Sequence, residues 1–188
     1  PAGALGSVEP MKVPWPRLAG MLLGPYRTAE TVEEYLAWKR AEDPRAAAAK
    51  SCRGGWVGGS FIAARRVSSE LKSRTVVALD IDEPGPRMED ELRALGCAMV
   101  VHPTHTPGRW RVAMPLARAV GPDEYRLLVK ALAARVTGVD GASVKPAQLM
   151  FWPTVPADDE RTAWELEGLP PLDPDEVLTQ GAPEPPRR

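Results

Sequence analysis

The sequence predicts an α+β fold, and three stretches carry that expectation. In Thr75-Val-Val-Ala-Leu-Asp-Ile-Asp82 five residues of β-forming character lead directly into Asp80 and Asp82, so the run reads as a buried strand that delivers two carboxylates at its end. Cys97–Val101 reads as a second buried strand, and the polar turn His102-Pro-Thr-His-Thr-Pro-Gly108 returns the chain as the alternating run Arg109–Pro115. Pro122, with Asp123 and Glu124 in the first turn, opens a long amphipathic helix through Tyr125, Leu128, Val129, Leu132 and Val136.

The remaining elements follow in order. Residues 1–13, rich in Gly, Ala and Pro, read as disordered or as a cloning remnant. Trp15, Leu18 and Leu22 share one helical face, and Gly24-Pro25 stops that helix. Thr31 and Glu34 form a capping box for a second helix, with Val32, Tyr35, Leu36 and Lys39 on one face up to about Ala41. Gly54, Gly55, Gly58 and Gly59 flank Trp56-Val57 as a hairpin or glycine-bent loop, which either lets backbone come close to a ligand or is a structural turn. Pro84-Gly-Pro86 turns the chain, and Met88, Leu92 and Leu95 mark a short helix capped by Gly96. Thr137-Gly138 ends the long helix, 139–146 is a loop, and Leu149–Pro153 is a short apolar strand. Thr162, Trp164 and Leu166 alternate in a last strand, Asp173–Leu178 gives a final helical turn, and 181–188 is linker-like.

At 188 residues the chain is one domain, or two small modules sharing a core. Cys52 and Cys97 lie far apart without C-x-x-C spacing, which points to a reducing compartment and away from structural zinc. With no signal peptide and no membrane-length apolar run, a soluble cytoplasmic protein is expected. The net charge of −1 neither suggests nor excludes a polyanionic partner, but its distribution is uneven. Lys39, Arg40, Arg45, Lys50, Arg53, Arg65, Arg66, Lys72 and Arg74 crowd the segment before the Asp pair, as either a solvated face or a flank for a phosphate backbone.

Asp80 and Asp82 share a strand face with Val76 and Ala78, while Val77, Leu79 and Ile81 point the other way, into the core. Two half-buried carboxylates side by side repel each other and lose hydration. Either a divalent cation with oxygen ligands relieves them, or they begin an acidic turn through Glu83-Pro84-Gly85. Empty of metal, such a site strains the fold. Trp56, Trp110 and Trp152 serve either base stacking or core packing, and His102 reads as structural.

The order of Asp-x-Asp strand, helix, strand, turn with His105, Arg-Trp-Arg strand, helix, and Asp140 before an apolar strand resembles the archaeo-eukaryotic primase superfamily. The likeness, from Trp15 to Trp152, is to the primase-polymerase domains of phages and plasmids in particular. It implies an N-terminal α/β module beside an RNA-recognition-like module with a mostly antiparallel sheet, and an active site between them. It also implies a catalytic domain over 14–180, with Asp80, Asp82 and Asp140 as the catalytic, metal-binding carboxylates and Mg2+ or Mn2+ as cofactor. His105 would contact the triphosphate of the incoming nucleotide. Pro103 stands where the family has a small hydroxyl residue, so a hydroxyl contact falls to Thr104 or Thr106, and Gln148 stands where an Arg is common. Arg111, on the return strand, is placed for the leaving pyrophosphate, and Ser143 and Lys145 complete the nucleotide-binding candidates. The implied activity is template-dependent, two-metal nucleotidyl transfer from nucleoside triphosphates to a 3'-hydroxyl. The implied partners are a DNA template and primer, with a helicase domain beyond Arg188 and no membrane. A metal-dependent nuclease would use the same carboxylates, with water as nucleophile. A non-catalytic replication-initiator module that binds DNA would suit the Pro103 and Gln148 departures.

Overall fold

The computed structural model describes residues 7–180. In chain order its elements are α1 (Trp15–Leu23), β1 (Tyr26–Arg27), α2 (Val32–Arg40), α3 (Pro44–Ser51), β2 (Gly55–Trp56), β3 (Gly59–Phe61) and β4 (Leu71–Ile81). Then come α4 (Met88–Arg93), β5 (Met99–Pro103), β6 (Trp110–Val120), α5 (Pro122–Ala133), β7 (Met150–Phe151), β8 (Thr154–Val155), β9 (Trp164–Leu166) and α6 (Pro174–Gln180). Short 3₁₀ turns occupy Ser68–Glu70 and Gly141–Val144.

The fold is α+β around an antiparallel sheet of five strands in the order β3-β4-β6-β5-β9. Period-2 alternation along β4 decides what each face covers. Val77, Leu79 and Ile81 join Val101, Val112 and Met114 under Leu92 of α4, Tyr125, Leu128, Val129 and Leu132 of α5, and Val177 of α6. The opposite face is also covered: Val76, Ala78, Val100 and Ala113 pack against Leu18, Ala19 and Leu22 of α1, with Trp56 and Met150 beside them. These buried contacts make the carboxylate face of β4 part of a second core rather than a half-wet surface.

Several boundaries differ from the sequence expectation. The second strand runs Met99–Pro103 rather than Cys97–Val101, so His102 and Pro103 pair with Arg111 and Trp110 and do not begin the turn. The Ala98 N–H donates to Pro170 O at 2.8 Å, which holds the chain outside the sheet until Met99. The glycine segment is no hairpin: β2 pairs with β7, and β3 pairs with β4. What its backbone approaches is β4, since a Cβ on Gly58 would lie 2.5 Å from Val76 Cβ and one on Gly59 2.3 Å from Ser73 O. Helix α3 was not expected, although Asp43 caps it by accepting from Arg45 N–H and Pro44 opens it. The capping box of Thr31 and Glu34 forms in both directions. Within the segment read as disordered, Ser7 bridges Arg65 and Val8 N–H donates to Ala64 O at 3.1 Å. Residues 1–6 and the linker-like 181–188 lie outside the described residues.

Candidate active site

Asp80 is buried one residue before the end of β4, and Asp82 follows just beyond the strand's end. The loop after α5 is stitched alongside them. The Asp82 N–H donates to Gly138 O at 3.0 Å, the Asp140 N–H donates to Asp80 O at 2.7 Å, and Ile81 bridges Val139. Three carboxylates separated by up to sixty positions are thereby brought to one end of the sheet. Gly138 is required for this approach, because its φ is +80° and a Cβ there would stand 1.9 Å from Glu83 O. Ser143 is fully buried and its Oγ accepts the Asp80 N–H at 3.0 Å, so this candidate supports the strand from behind. The Asp140 carboxylate caps the following 3₁₀ turn by accepting from Ala142 N–H at 3.1 Å. Lys145 is exposed on the same loop. Buried Arg74 ties the loop's far end to β4, donating to Pro146 O and to Val76 O at 2.9 Å each, with its guanidinium 4.6 Å over the Tyr125 ring. Burial without a carboxylate partner pushes its pKa down.

Positive charge stands at the carboxylates as the physics demands, and arginines supply it. Arg111 Nε lies 2.6 Å from Asp80 Oδ1, and the guanidinium also donates to Phe151 O at 2.9 Å. Both side chains of this pair are almost sealed from solvent, at 7% and 12% exposure. Gln148 Nε2 reaches Asp80 Oδ2 at 3.4 Å, so the residue standing in place of an arginine is a weak neighbour of the carboxylate. Arg109 pairs with Asp82 at 2.5 Å, and here the side chains are 41% and 32% exposed. Hard carboxylate oxygens suit Mg2+ or Mn2+. In this arrangement, however, no three acidic, His or Cys side chains among the described residues are gathered closely enough to hold an ion. The donors have the right chemistry, and Asp80 and Asp82 already hold guanidinium partners.

His105 lies deeper than a polar turn residue would. It is 2% exposed, its Nδ1 is 3.0 Å from Thr154 Oγ1, and its ring meets Tyr35 edge-on at 4.5 Å. Its Nε2 lies 2.8 Å from Glu30 Oε1, within ion-pair reach but out of line for a hydrogen bond. Burial lowers the pKa of His105, and the Glu30 carboxylate opposes that shift. Thr106 Oγ1 sits 3.2 Å from Tyr35 Oη, and Thr104 is half-buried, with its N–H donating to Arg109 O. His102 is fully buried with its pKa pushed down to about 3, by desolvation first and then by Arg111. Its Nδ1 lies 3.0 Å from Pro103 O; since a carbonyl only accepts, the neutral ring carries its proton on Nδ1.

Lys50, His102, Thr104, His105 and Arg111 line a small cleft together with Phe151. Lys50, at the end of α3, holds its ammonium 5.6 Å over the Phe151 ring, and its pKa is lowered by burial and then by Arg111. The sequence reading placed Lys50 only in a general basic flank. The Asp43-Pro44 helix start and the alanines after it were the signal that would have brought it to the site. Others of that flank are engaged elsewhere: Arg45 binds Asp43 and covers Trp38, and Arg53 covers Tyr26. Trp56 is buried, 6.0 Å from the Trp152 ring, in the α1-side core.

The fold, a five-stranded antiparallel sheet with helices on both faces, carries acidic residues at the end of β4, the strand next to edge strand β3. It is similar to the AEP domain of the primase-polymerase (PrimPol) of cyanophage S-2L, at 16% identity and a TM-score of 0.50 over 69% of this chain and 71% of that one. The chain belongs to the VapE N-terminal domain family, whose description matches residues 8–182. No curated protein matches it. Among the described residues no helix is long and apolar enough to cross a membrane.

Proposed function

We propose that residues 14–180 are the catalytic domain of a template-dependent DNA primase-polymerase, which transfers nucleotidyl groups from nucleoside triphosphates to a primer 3'-hydroxyl. The observation that carries this is the backbone stitching of Asp140 to Asp80 and of Gly138 to Asp82, which sets three carboxylates at one sheet end beside a cationic cleft. When bound by Asp80, Asp82 and Asp140, Mg2+ or Mn2+ would lower the pKa of the attacking hydroxyl and neutralise charge on the reacting phosphate. The chain's own residues do the rest. Arg111 and the Ser143 hydroxyl hold Asp80 in place, through its carboxylate and its N–H. Lys50 and Arg111 present positive charge along the cleft, where a triphosphate and its leaving pyrophosphate need it. His105 and Thr104 line the same cleft, and Lys145 stands exposed on the Asp140 loop.

One observation favours a second reading, a DNA-binding module without catalysis: arginines already pair with Asp80 and Asp82. Labelled primer–template incubated with Mn2+, with and without nucleoside triphosphates, separates the readings on a gel. Primer extension that is lost in Asp82→Ala is expected, with less than about a tenth of wild-type incorporation remaining. A mobility shift with unchanged bands supports the binding module. Shortened template in the absence of triphosphates means a nuclease, and either of these results overturns the polymerase reading.

A further inference from the structure

The turn between β5 and β6 is gripped by an arginine from outside the cleft. Its own backbone closes through Thr104 N–H to Arg109 O at 3.0 Å and Arg109 N–H to Thr106 O at 3.2 Å. Arg161 then donates to carbonyls along the whole turn, to Arg109 O at 2.7 Å from Nη1, and to Thr104 O at 3.0 Å and Thr106 O at 3.4 Å from Nη2. The same guanidinium meets the Asp159 carboxylate, Nη2 to Oδ2 at 2.6 Å and Nε to Oδ1 at 3.0 Å, and lies 5.6 Å over the Trp110 ring. With the Asp159 side chain 5% exposed, this fork is fixed in one orientation. The segment that supplies it also holds the opposite wall of His105. Ala157 N–H donates to Glu30 O at 2.8 Å, the Asp158 carboxylate accepts from Val32 N–H at 2.7 Å, and Arg27 donates to Asp159 O. Glu30 and Tyr35 face the His105 ring from that wall, and Thr154 Oγ1 meets its Nδ1.

We infer that Arg161 is a positioning residue: its guanidinium holds the 104–109 turn against the Glu30 segment and so fixes His105 and Thr104 in the cleft. This rests on the proposed nucleotide cleft and adds to it a residue that acts on the cleft through the turn. The planar fork is what the task requires, because it points several donors at separate carbonyls while keeping its carboxylate. A lysine carries the same charge on a single head and cannot span them.

The test uses the two histidines of the chain, whose ring signals are followed from pH 8 to 5 in protein labelled at histidine. In wild type, burial holds the pKa of His105 below 6.5, opposed by Glu30 and Asp159 and reinforced by Lys50. His102, sealed within the sheet, stays neutral over that range and serves as the internal reference. Arg161→Gln is expected to let water into the turn and move the His105 midpoint toward 6.5, with His102 unchanged. Arg161→Lys should move it the same way, and it carries the test if Arg161→Gln does not fold. In primer extension both variants should raise the KM for nucleoside triphosphate about tenfold, with kcat within about twofold of wild type. A His105 midpoint that stays at its wild-type value, or that moves only together with that of His102, overturns the positioning role and leaves the polymerase reading standing. Failure of both variants to fold does the same, since Arg161 would then serve stability alone. An unchanged KM beside a shifted His105 overturns the link to nucleotide binding. If wild type extends no primer, the polymerase reading falls, and the histidine titration still decides whether Arg161 holds the turn.

Discussion

Replacing Asp80 with alanine tests whether the carboxylates strain this fold or hold it. Three converging carboxylates should repel, so removing one from a metal-free site should stabilise the protein. The structure reverses that expectation for Asp80, whose oxygen lies 2.6 Å from Arg111 Nε with both side chains nearly sealed. Asp80→Ala leaves a buried guanidinium with Phe151 O as its remaining hydrogen-bond acceptor. Breaking one side of a buried pair costs about 3 kcal/mol or more. The exposed pair of Asp82 and Arg109 contributes at most about 1 kcal/mol, so Asp82→Ala should be nearly silent. In urea melts at pH 7 with chelator, Asp80→Ala should lose about 3 kcal/mol at an unchanged slope, or about 6–12 °C in Tm for a chain of this size. The double variant Asp80→Ala/Arg111→Met should recover much of that loss, since a buried pair replaced by apolar groups is often neutral. If Asp80→Ala proves as stable as wild type, or more stable, Arg111 does not neutralise the site and the carboxylates are a standing strain.

Two further outcomes follow from single groups. His102 is neutral in the fold with its pKa near about 3, against 6.5 when exposed, so the unfolded chain takes up the proton first and stability is lost as pH falls from 6.5 toward 3. Between pH 7 and 5 this amounts to about 2 kcal/mol, which denaturant melts should show in wild type and largely lose in His102→Asn; an equal slope in both would contradict it. Gly138→Ala forces a Cβ into Glu83 O at a φ of +80°, and should destabilise by more than about 2 kcal/mol while reducing any metal response, whereas Gly141→Ala, with open space around it, should do neither.

The sequence alone determined the elements whose signals are local. The β-forming run Thr75–Ile81 gives a strand, and the period of two along a strand places Asp80 on the face away from Val77 and Leu79. The capping box at Thr31 and the Pro122 start depend on neighbours within one helical turn, and both form as read. Tertiary structure decided what depends on pairs distant in the chain. The glycines of 54–59 were legible as a close approach, but β4 as the thing approached was not, because that contact is set by register between strands. Arg111 and Asp80 were each legible as a charged residue on a strand, and cross-strand pairing placed them opposite each other. That register gives Arg111, read as a phosphate contact, a carboxylate partner that its place in the sequence did not show. His105, read as a turn residue open to a nucleotide, is enclosed by Glu30, Tyr35 and Thr154 from segments on either side of it in the chain. Burial is a property of the assembled chain, and it sets whether a charge at this site faces water, a ligand or another residue.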